Sequence, residues 1–243
     1  MPTALILGAT SDIAQAIARE LAAKQYDLIL AARNMNYIER IQKDIQIRYG
    51  VQVKPKYFDA TTYEQHDDFL KQTEVFPEVV VVCFGYLGEQ KKAEANWDEA
   101  YQILATNYIG AVSILNLVAQ EMEKRKQGII IGISSVAGDR GRKSNYIYGS
   151  AKAGFTTYLS GLRNRLYTSG VHVLTVKPGY VTTRMTENMN LPKLLTTTPE
   201  KVAKSISKAI RKKKNTIYVK KIWWLVMIII RCLPESIFKK LNL

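Results

Sequence analysis

Tyr148 and Lys152 stand four residues apart, so a helix through them presents the phenol and the ammonium on one face. An ammonium beside a phenol lowers the phenol pKa from about 10 and makes proton exchange feasible near neutral pH. Ser135 lies thirteen residues before Tyr148, just after an apolar run ending Ile133-Ser134, where a hydroxyl can polarise a substrate carbonyl. Asn107 falls inside a long helical pattern, with its amide placed to order a water linking Lys152 to solvent. Such a set suits the interconversion of a carbonyl and an alcohol. Each member also has an ordinary reading: Tyr-x-x-x-Lys arises often by chance, and Asn107 reads equally as a polar residue in mid-helix. The combination carries weight because of what precedes it.

The first turn reads Gly8-Ala9-Thr10-Ser11-Asp12-Ile13-Ala14, between an apolar strand and a helix. Backbone N–H groups of Thr10, Ser11, Asp12 and Ile13 at such a turn can face a pyrophosphate, aided by the helix dipole. Only one glycine of a three-glycine version is present. Ala14 is small enough for close helix–strand packing, whereas Asp12 either sits beside the phosphate or caps the helix. The second strand ends Ala31-Ala32-Arg33-Asn34. The acid that binds a ribose 2′-hydroxyl is missing there, and Arg33 supplies a cation for a 2′-phosphate, favouring NADP(H) over NAD(H); the alternative is a surface arginine capping the next helix. Asp59, followed by Ala60, reads as a partner for the adenine amino group or as a helix cap.

Residues so far apart need a scaffold that gathers them. Apolar runs at Ala4–Leu7, Leu28–Ala32, Val51–Phe58, Val79–Phe84, Ile129–Ile133, Val171–Val176 and Thr216–Val219 alternate with helical patterns at Ile13–Lys24, Asn36–Tyr49, Trp97–Lys126 and Tyr146–Ser169. Several runs are apolar throughout, as in parallel strands covered on both faces. The alternation predicts an α/β fold, a Rossmann-type doubly wound parallel sheet, over residues 1–219, with a C-terminal apolar and basic extension over 220–243. Thr198-Pro199-Glu200 predicts a capped helix start, running to about Lys213. The segment Met185–Thr197 has little core character and reads as a lid over substrate or as a surface connection.

With these residues in hand, the chain resembles the short-chain dehydrogenase/reductase superfamily over nearly its whole length. The resemblance assigns Asn107, Ser135, Tyr148 and Lys152 to the family's catalytic tetrad. It assigns Pro178, Gly179, Val181 and Thr183 to the nicotinamide side of the cofactor. The chain departs from the family at Val82-Cys83-Phe84-Gly85, where most members read Asn-Asn-Ala-Gly and only Gly85 is kept. The stretch Ser134–Asn145, the segment Phe84–Gly88 and the tail Leu233–Leu241 are also similar to reductases of decaprenylphosphoryl 2-keto-ribose. That similarity implies reduction of a 2-keto-pentose on a polyprenyl phosphate, in cell-wall arabinan precursor formation, beside a flavin-dependent oxidase that makes the keto substrate. It implies NADH as reductant, where Arg33 points to NADPH, and the superfamily implies homodimers or homotetramers. Arg140, Arg142 and Lys143, between Ser135 and Tyr148, then suit a substrate phosphate. The alternatives are a soluble reductase of a small ketone or acyl thioester, and a nucleotide-binding protein without turnover, against which the intact tetrad argues.

Charge is concentrated at the end of the chain. Residues 201–243 carry twelve Lys/Arg and one acid, Glu235, a net +11 of the chain's +14. The run Ile222–Ile230 is apolar throughout, flanked by Lys220, Lys221 and Arg231. It is far short of the ~20 residues that span a bilayer, and suits either an anionic membrane surface or packing on the protein. No nucleic-acid reading module accompanies the basic tail. The two cysteines, Cys83 and Cys232, form no CxxC pair, and no His/Asp/Glu cluster has metal-ligand spacing. Residues 1–7 lack a basic n-region, so no signal peptide is expected and the protein reads as cytoplasmic, peripheral on the inner membrane face.

Overall fold

Runs of β-branched and aliphatic residues build the centre of the sheet, and its edge strands are more polar. In the computed structural model, which describes residues 1–187 and 190–241, these are β1 (Thr3–Leu7), β2 (Asp27–Ala32), β3 (Val53–Tyr57), β4 (Val79–Val82), β5 (Ile129–Ile133) and β6 (His172–Pro178). The short strands β7 (Tyr180–Val181) and β8 (Thr196–Thr197) pair with each other, and β9 (Thr216–Val219) completes the main sheet. Its order is β3-β2-β1-β4-β5-β6-β9, and all pairings are parallel. This is the expected doubly wound arrangement, with the order reversing between β1 and β4. Pro55 interrupts the β3 pattern, and β3 lies at the sheet edge, where a missing N–H is tolerated.

Helices cover both faces. They are α1 (Asp12–Ala22), α2 (Met35–Tyr49), α3 (His66–Lys71), α4 (Gln90–Ala95), α5 (Trp97–Leu104), α6 (Gly110–Arg125), α7 (Tyr146–Leu166), α8 (Pro199–Arg211), α9 (Ile222–Cys232) and α10 (Glu235–Phe238). One apolar core lies between the sheet and α1, α2 and α8, and a second between the sheet and α6 and α7. The predicted start of α8 is observed: the Thr198 hydroxyl accepts from Lys201 N, with Pro199 at the first helical position. The long helix expected over Trp97–Lys126 is instead interrupted by a π-turn at Ala105–Ile109, between α5 and α6. The stretch Trp97–Arg125 is long and apolar enough by composition to cross a membrane, yet half of its most apolar window is buried. Ile114, Leu115 and Val118 are wholly enclosed in the second core. It is a core helix.

Close packing below the site is set by small residues. A Cβ on Gly110 would lie 2.1 Å from the Ala60 carbonyl oxygen. Glycine at the start of α6 therefore lets the helix approach the Phe58–Ala60 segment that follows β3. Alanine at an unconstrained helical site adds about 1 kcal/mol of stability over glycine. Here Gly110→Ala is expected to reverse that sign and cost at least about 2 kcal/mol through overpacking, read as a lower denaturation midpoint in urea; an unchanged or higher midpoint would refute the contact.

Candidate active site

The carboxyl ends of β1, β4, β5 and β6 open into one cavity of about 540 Å³. Its first wall is the turn after β1. Gly8 takes φ +84, and a Cβ there would lie 2.5 Å from Phe84 N, so only glycine lets this turn pack on the end of β4. Gly8 N and Ala9 N both donate to Ala31 O, at 2.8 and 3.1 Å, which ties the turn to β2. The Ser11 hydroxyl caps α1 by accepting from Ala14 N at 3.2 Å, and it meets Cys83 Sγ at 3.4 Å. Cys83 therefore fills the departure from Asn-Asn-Ala-Gly as a buried neutral thiol, pushed up to about 11 by burial.

Asp12 corrects one expectation, because the cap of α1 is Ser11. The Asp12 carboxylate accepts from Arg184 N at 2.8 Å and Arg184 Nε at 3.2 Å, while Arg184 also donates to Thr10 O. The acid beside the anion-binding turn is thus matched by a cation from the segment after β7. Thr10, Ser11, Asp12 and Ile13 all line the cavity with the amino end of α1.

At the end of β2 the two readings of Arg33 separate. Asn34 caps α2, its Oδ1 accepting from Tyr37 N at 3.0 Å, which leaves Arg33 exposed on the cavity wall. Asp59 and Ala60 also line the cavity, but Asp59 Oδ1 already accepts from Thr61 N and Thr61 Oγ1, at 2.9 and 2.8 Å. Pro178, Gly179, Val181 and Thr183 line the opposite side.

Ser135, Tyr148 and Lys152 meet at the inner end, with Gly85 beside them. Lys152 is buried, donates from Nζ to Ile133 O at 3.1 Å, and lies 5.7 Å from the centroid of the Tyr148 ring. Burial lowers Lys152 to about 8. Burial raises Tyr148 to about 12, opposed by the nearby Ser135 hydroxyl. This departs from the expectation that the ammonium would pull the phenol down. Desolvation of the hydroxyl is the largest influence on it, and the Tyr148 phenol is protonated at neutral pH. A group in that state is a general acid.

Asn107 has a different task from the one expected. Its amide Nδ2 donates to Tyr86 O at 2.6 Å and to Ile103 O at 2.8 Å, and its Oδ1 accepts from Tyr86 N at 3.3 Å. With donors and acceptor committed to the backbone, this amide braces the Gly85–Tyr86 segment rather than presenting itself to water. It is absent from the cavity wall, and the π-turn delivers it. A Cβ on Gly85 would lie 2.9 Å from Asn107 Oδ1 and 3.6 Å from Lys152 Nζ, so Gly85 keeps the brace and the lysine close together.

The three loop cations divide. Arg142 lines the cavity, and its buried Nε has no protein partner among the described residues; the same holds for Asn145 Oδ1. Arg140 is directed away. Its guanidinium donates to Ile230 O and Leu233 O at 2.5 and 2.7 Å, pairs with Glu235 at 2.8 Å and lies 3.7 Å from the Phe238 ring centroid. Lys143 is exposed and outside the cavity wall. Arg140 and Lys143 are therefore corrected as substrate-phosphate contacts, leaving Arg142.

Several wall residues escaped sequence reasoning. Tyr86 is held by a 2.8 Å bond from its hydroxyl to the buried Glu99. Trp223 forms part of the roof: its Nε1 donates to Leu195 O at 2.9 Å, and a Cβ on Gly179 would fall 1.9 Å from that nitrogen. The available signal was the tryptophan pair in the tail, without an indication that one ring points inward. Met185 and Thr186 of the expected lid segment line the cavity, as does Arg184 just before it. Leu195 and Lys193 at its far end are tied to Trp223 and Lys220. The expected lid also includes residues 188 and 189, which lie outside the described residues.

Comparison with known proteins adds the following. Residues 2–193 match the family model described as short chain dehydrogenase. An uncharacterized oxidoreductase of Mycobacterium tuberculosis is 35% identical over 242 residues, covering 98% of this chain and 96% of the relative. An uncharacterized oxidoreductase of Streptomyces coelicolor is 35% identical over 240 residues, covering 98% and 94%. Among solved structures, a short-chain dehydrogenase from Sphingobium yanoikuyae in complex with NADPH superposes with a TM-score of 0.83 at 19% identity, covering 97% of this chain and 98% of that one.

Two outcomes are expected from the inner-end geometry. Tyr148→Phe should bind cofactor normally, by fluorescence titration, while kcat falls at least about 10²-fold; wild-type kcat would remove Tyr148 from the chemistry. For carbonyl reduction, kcat/KM should decline as pH rises through about 8, where Lys152 loses its proton. A profile flat to pH 10 would contradict a charged Lys152 in the reaction.

Proposed function

The chain belongs to the short-chain dehydrogenase family and is an NAD(P)-dependent oxidoreductase of CH–OH and C=O groups; from that premise we propose that it reduces the keto group of a 2-keto-pentose carried on a polyprenyl phosphate, with NADPH as reductant. One observation carries the substrate reading. The cavity that holds Tyr148 is also lined by Arg142, a cation, and Asn145, an amide, whose enclosed Nε and Oδ1 have no protein partner among the described residues. Unmatched buried polar atoms are costly. A guanidinium suits a phosphate oxygen and an amide oxygen suits a sugar hydroxyl.

The residues present fit a dinucleotide. The Gly8 turn and the amino end of α1 receive the pyrophosphate, the more readily because Arg184 offsets Asp12. Arg33 is available for a 2′-phosphate and supports the preference for NADPH, while Asp59 and Ala60, on the cavity wall, would face the adenine. Gly179, Val181, Thr183 and Lys152, all on the cavity wall, would hold the nicotinamide side. When bound, the cofactor supplies the hydride to the carbonyl carbon. Ser135 donates a hydrogen bond to the carbonyl oxygen. Tyr148, protonated at neutral pH, gives its proton to that oxygen as the alcohol forms. Lys152, charged below about 8, stabilises the phenolate left behind and stays in place through Ile133 O. Asn107 holds Gly85 and Tyr86 against this group.

The purified protein should consume NADPH when offered a polyprenylphosphoryl 2-keto-pentose. Arg142→Ala should raise KM at least about tenfold for that substrate and leave a neutral small ketone unaffected. Equal losses on both would favour a reductase of small carbonyl compounds. Arg33→Ala should weaken NADPH binding by about tenfold or more while leaving NADH nearly unchanged. A wild-type preference for NADH would contradict the role of Arg33.

A further inference from the structure

The tail helix α9 has two apolar faces and the protein covers one of them. Trp223 and Met227 are buried, 3% and 1% exposed, against Val136, Tyr180, Leu195 and Tyr218. Trp224, Leu225 and Ile229 on the other side are 56%, 52% and 55% exposed, with Ile228 between them and Ile237 of α10 exposed beyond. The inward face cannot be exchanged for the outward one by rotation. Arg140 holds the carboxyl end of α9 through Ile230 O and Leu233 O, and Trp223 Nε1 holds the amino end through Leu195 O. A contiguous apolar stripe is therefore presented outward in a fixed orientation.

We infer that this outward face of α9, with α10, is a docking surface for an anionic lipid bilayer. Two observations select that occupant. The stripe is bordered by exposed Lys221, Lys239 and Lys240, and the acid near it, Glu235, is paired to Arg140. Apposing two copies of the face would bring these cations together, whereas lipid phosphates would neutralise them. The helix has eleven residues, a length of about 16 Å at 1.5 Å per residue, too short to cross a hydrocarbon core of about 30 Å. It suits lying in the interface, with Trp224 at headgroup depth and aliphatic side chains below. Because the opposite face of the same helix roofs the catalytic cavity, docking sets the roof of the active site beside the bilayer.

The surface stands on geometry alone, so its test uses no lipid-linked substrate. The full-length protein is sedimented with vesicles of phosphatidylglycerol and phosphatidylcholine mixed equally, and with pure phosphatidylcholine. The expected result is binding to the anionic vesicles, little binding to the neutral ones, and release at high salt. Trp224→Glu combined with Ile229→Glu should lower the partition to anionic vesicles at least about tenfold, while turnover of a water-soluble ketone and the circular dichroism spectrum stay unchanged. The inference is overturned if the wild type stays in the supernatant with both vesicle types, or if the double variant binds as well as the wild type. It is also overturned if sedimentation velocity without lipid shows a wild-type oligomer that the double variant dissociates, since a second copy would then cover the face.

Discussion

A lysine ammonium enclosed by protein is the constraint around which the site is arranged. Lys152 is pushed down to about 8 by burial, which at neutral pH corresponds to a penalty on the order of 3 kcal/mol for keeping its charge. The surrounding structure answers that penalty with a backbone carbonyl, Ile133 O, at the end of β5. The same helix turn is fixed by Ser134, whose hydroxyl donates to Lys152 O, and by Gly138, where a Cβ would lie 2.7 Å from Lys152 C and Ala153 N. The three-residue logic of Ser135, Tyr148 and Lys152 thus depends on close packing between the end of β5 and the first turns of α7. The energetic strain of one buried cation is offset by contacts that also orient the phenol.

Long-range pairs do comparable work at the rim. Asp12 and Arg184 join the first turn of the chain to the segment after β7. Asp139 accepts from Lys177 Nζ at 2.5 Å and from the Tyr218 hydroxyl at 2.7 Å, binding the loop after Ser135 to β6 and β9. Its neighbour Arg140 reaches the tail. Two adjacent loop residues therefore link the catalytic serine's loop to the sheet and to α9. The C-terminal segment is in this way part of the active-site architecture as well as a surface element.

The alternation of apolar runs with helical patterns was legible because the central strands β1, β4 and β5 are covered on both faces and are almost wholly apolar, while the edge strands β3 and β9 are more polar and more exposed. The α8 cap at Thr198-Pro199 was legible because a cap is a contact among neighbours in sequence. So was the shared face of Tyr148 and Lys152. The π-turn at Ala105–Ile109 was not: its residues have no distinctive pattern, and the extra residue in the turn is stabilised by the Asn107 contacts with Ile103 and with Tyr86, twenty-one residues away.

Sequence alone determined the layer architecture, the chemical types at the reacting end, the missing acid at Ala32 and the basic, apolar character of the tail. These follow from composition and from periodicities within a helix or strand. Tertiary structure decided which way individual side chains turn. It sent Arg140 to the tail and Arg142 to the cavity, Trp223 inward and Trp224 outward, and gave the cap of α1 to Ser11 while matching Asp12 with Arg184. It also pushed the Tyr148 phenol up, against the local inference from a neighbouring lysine, because desolvation depends on all the atoms packed around a hydroxyl. Such outcomes rest on partners 90 or 172 positions away in the chain, whose proximity no local pattern encodes.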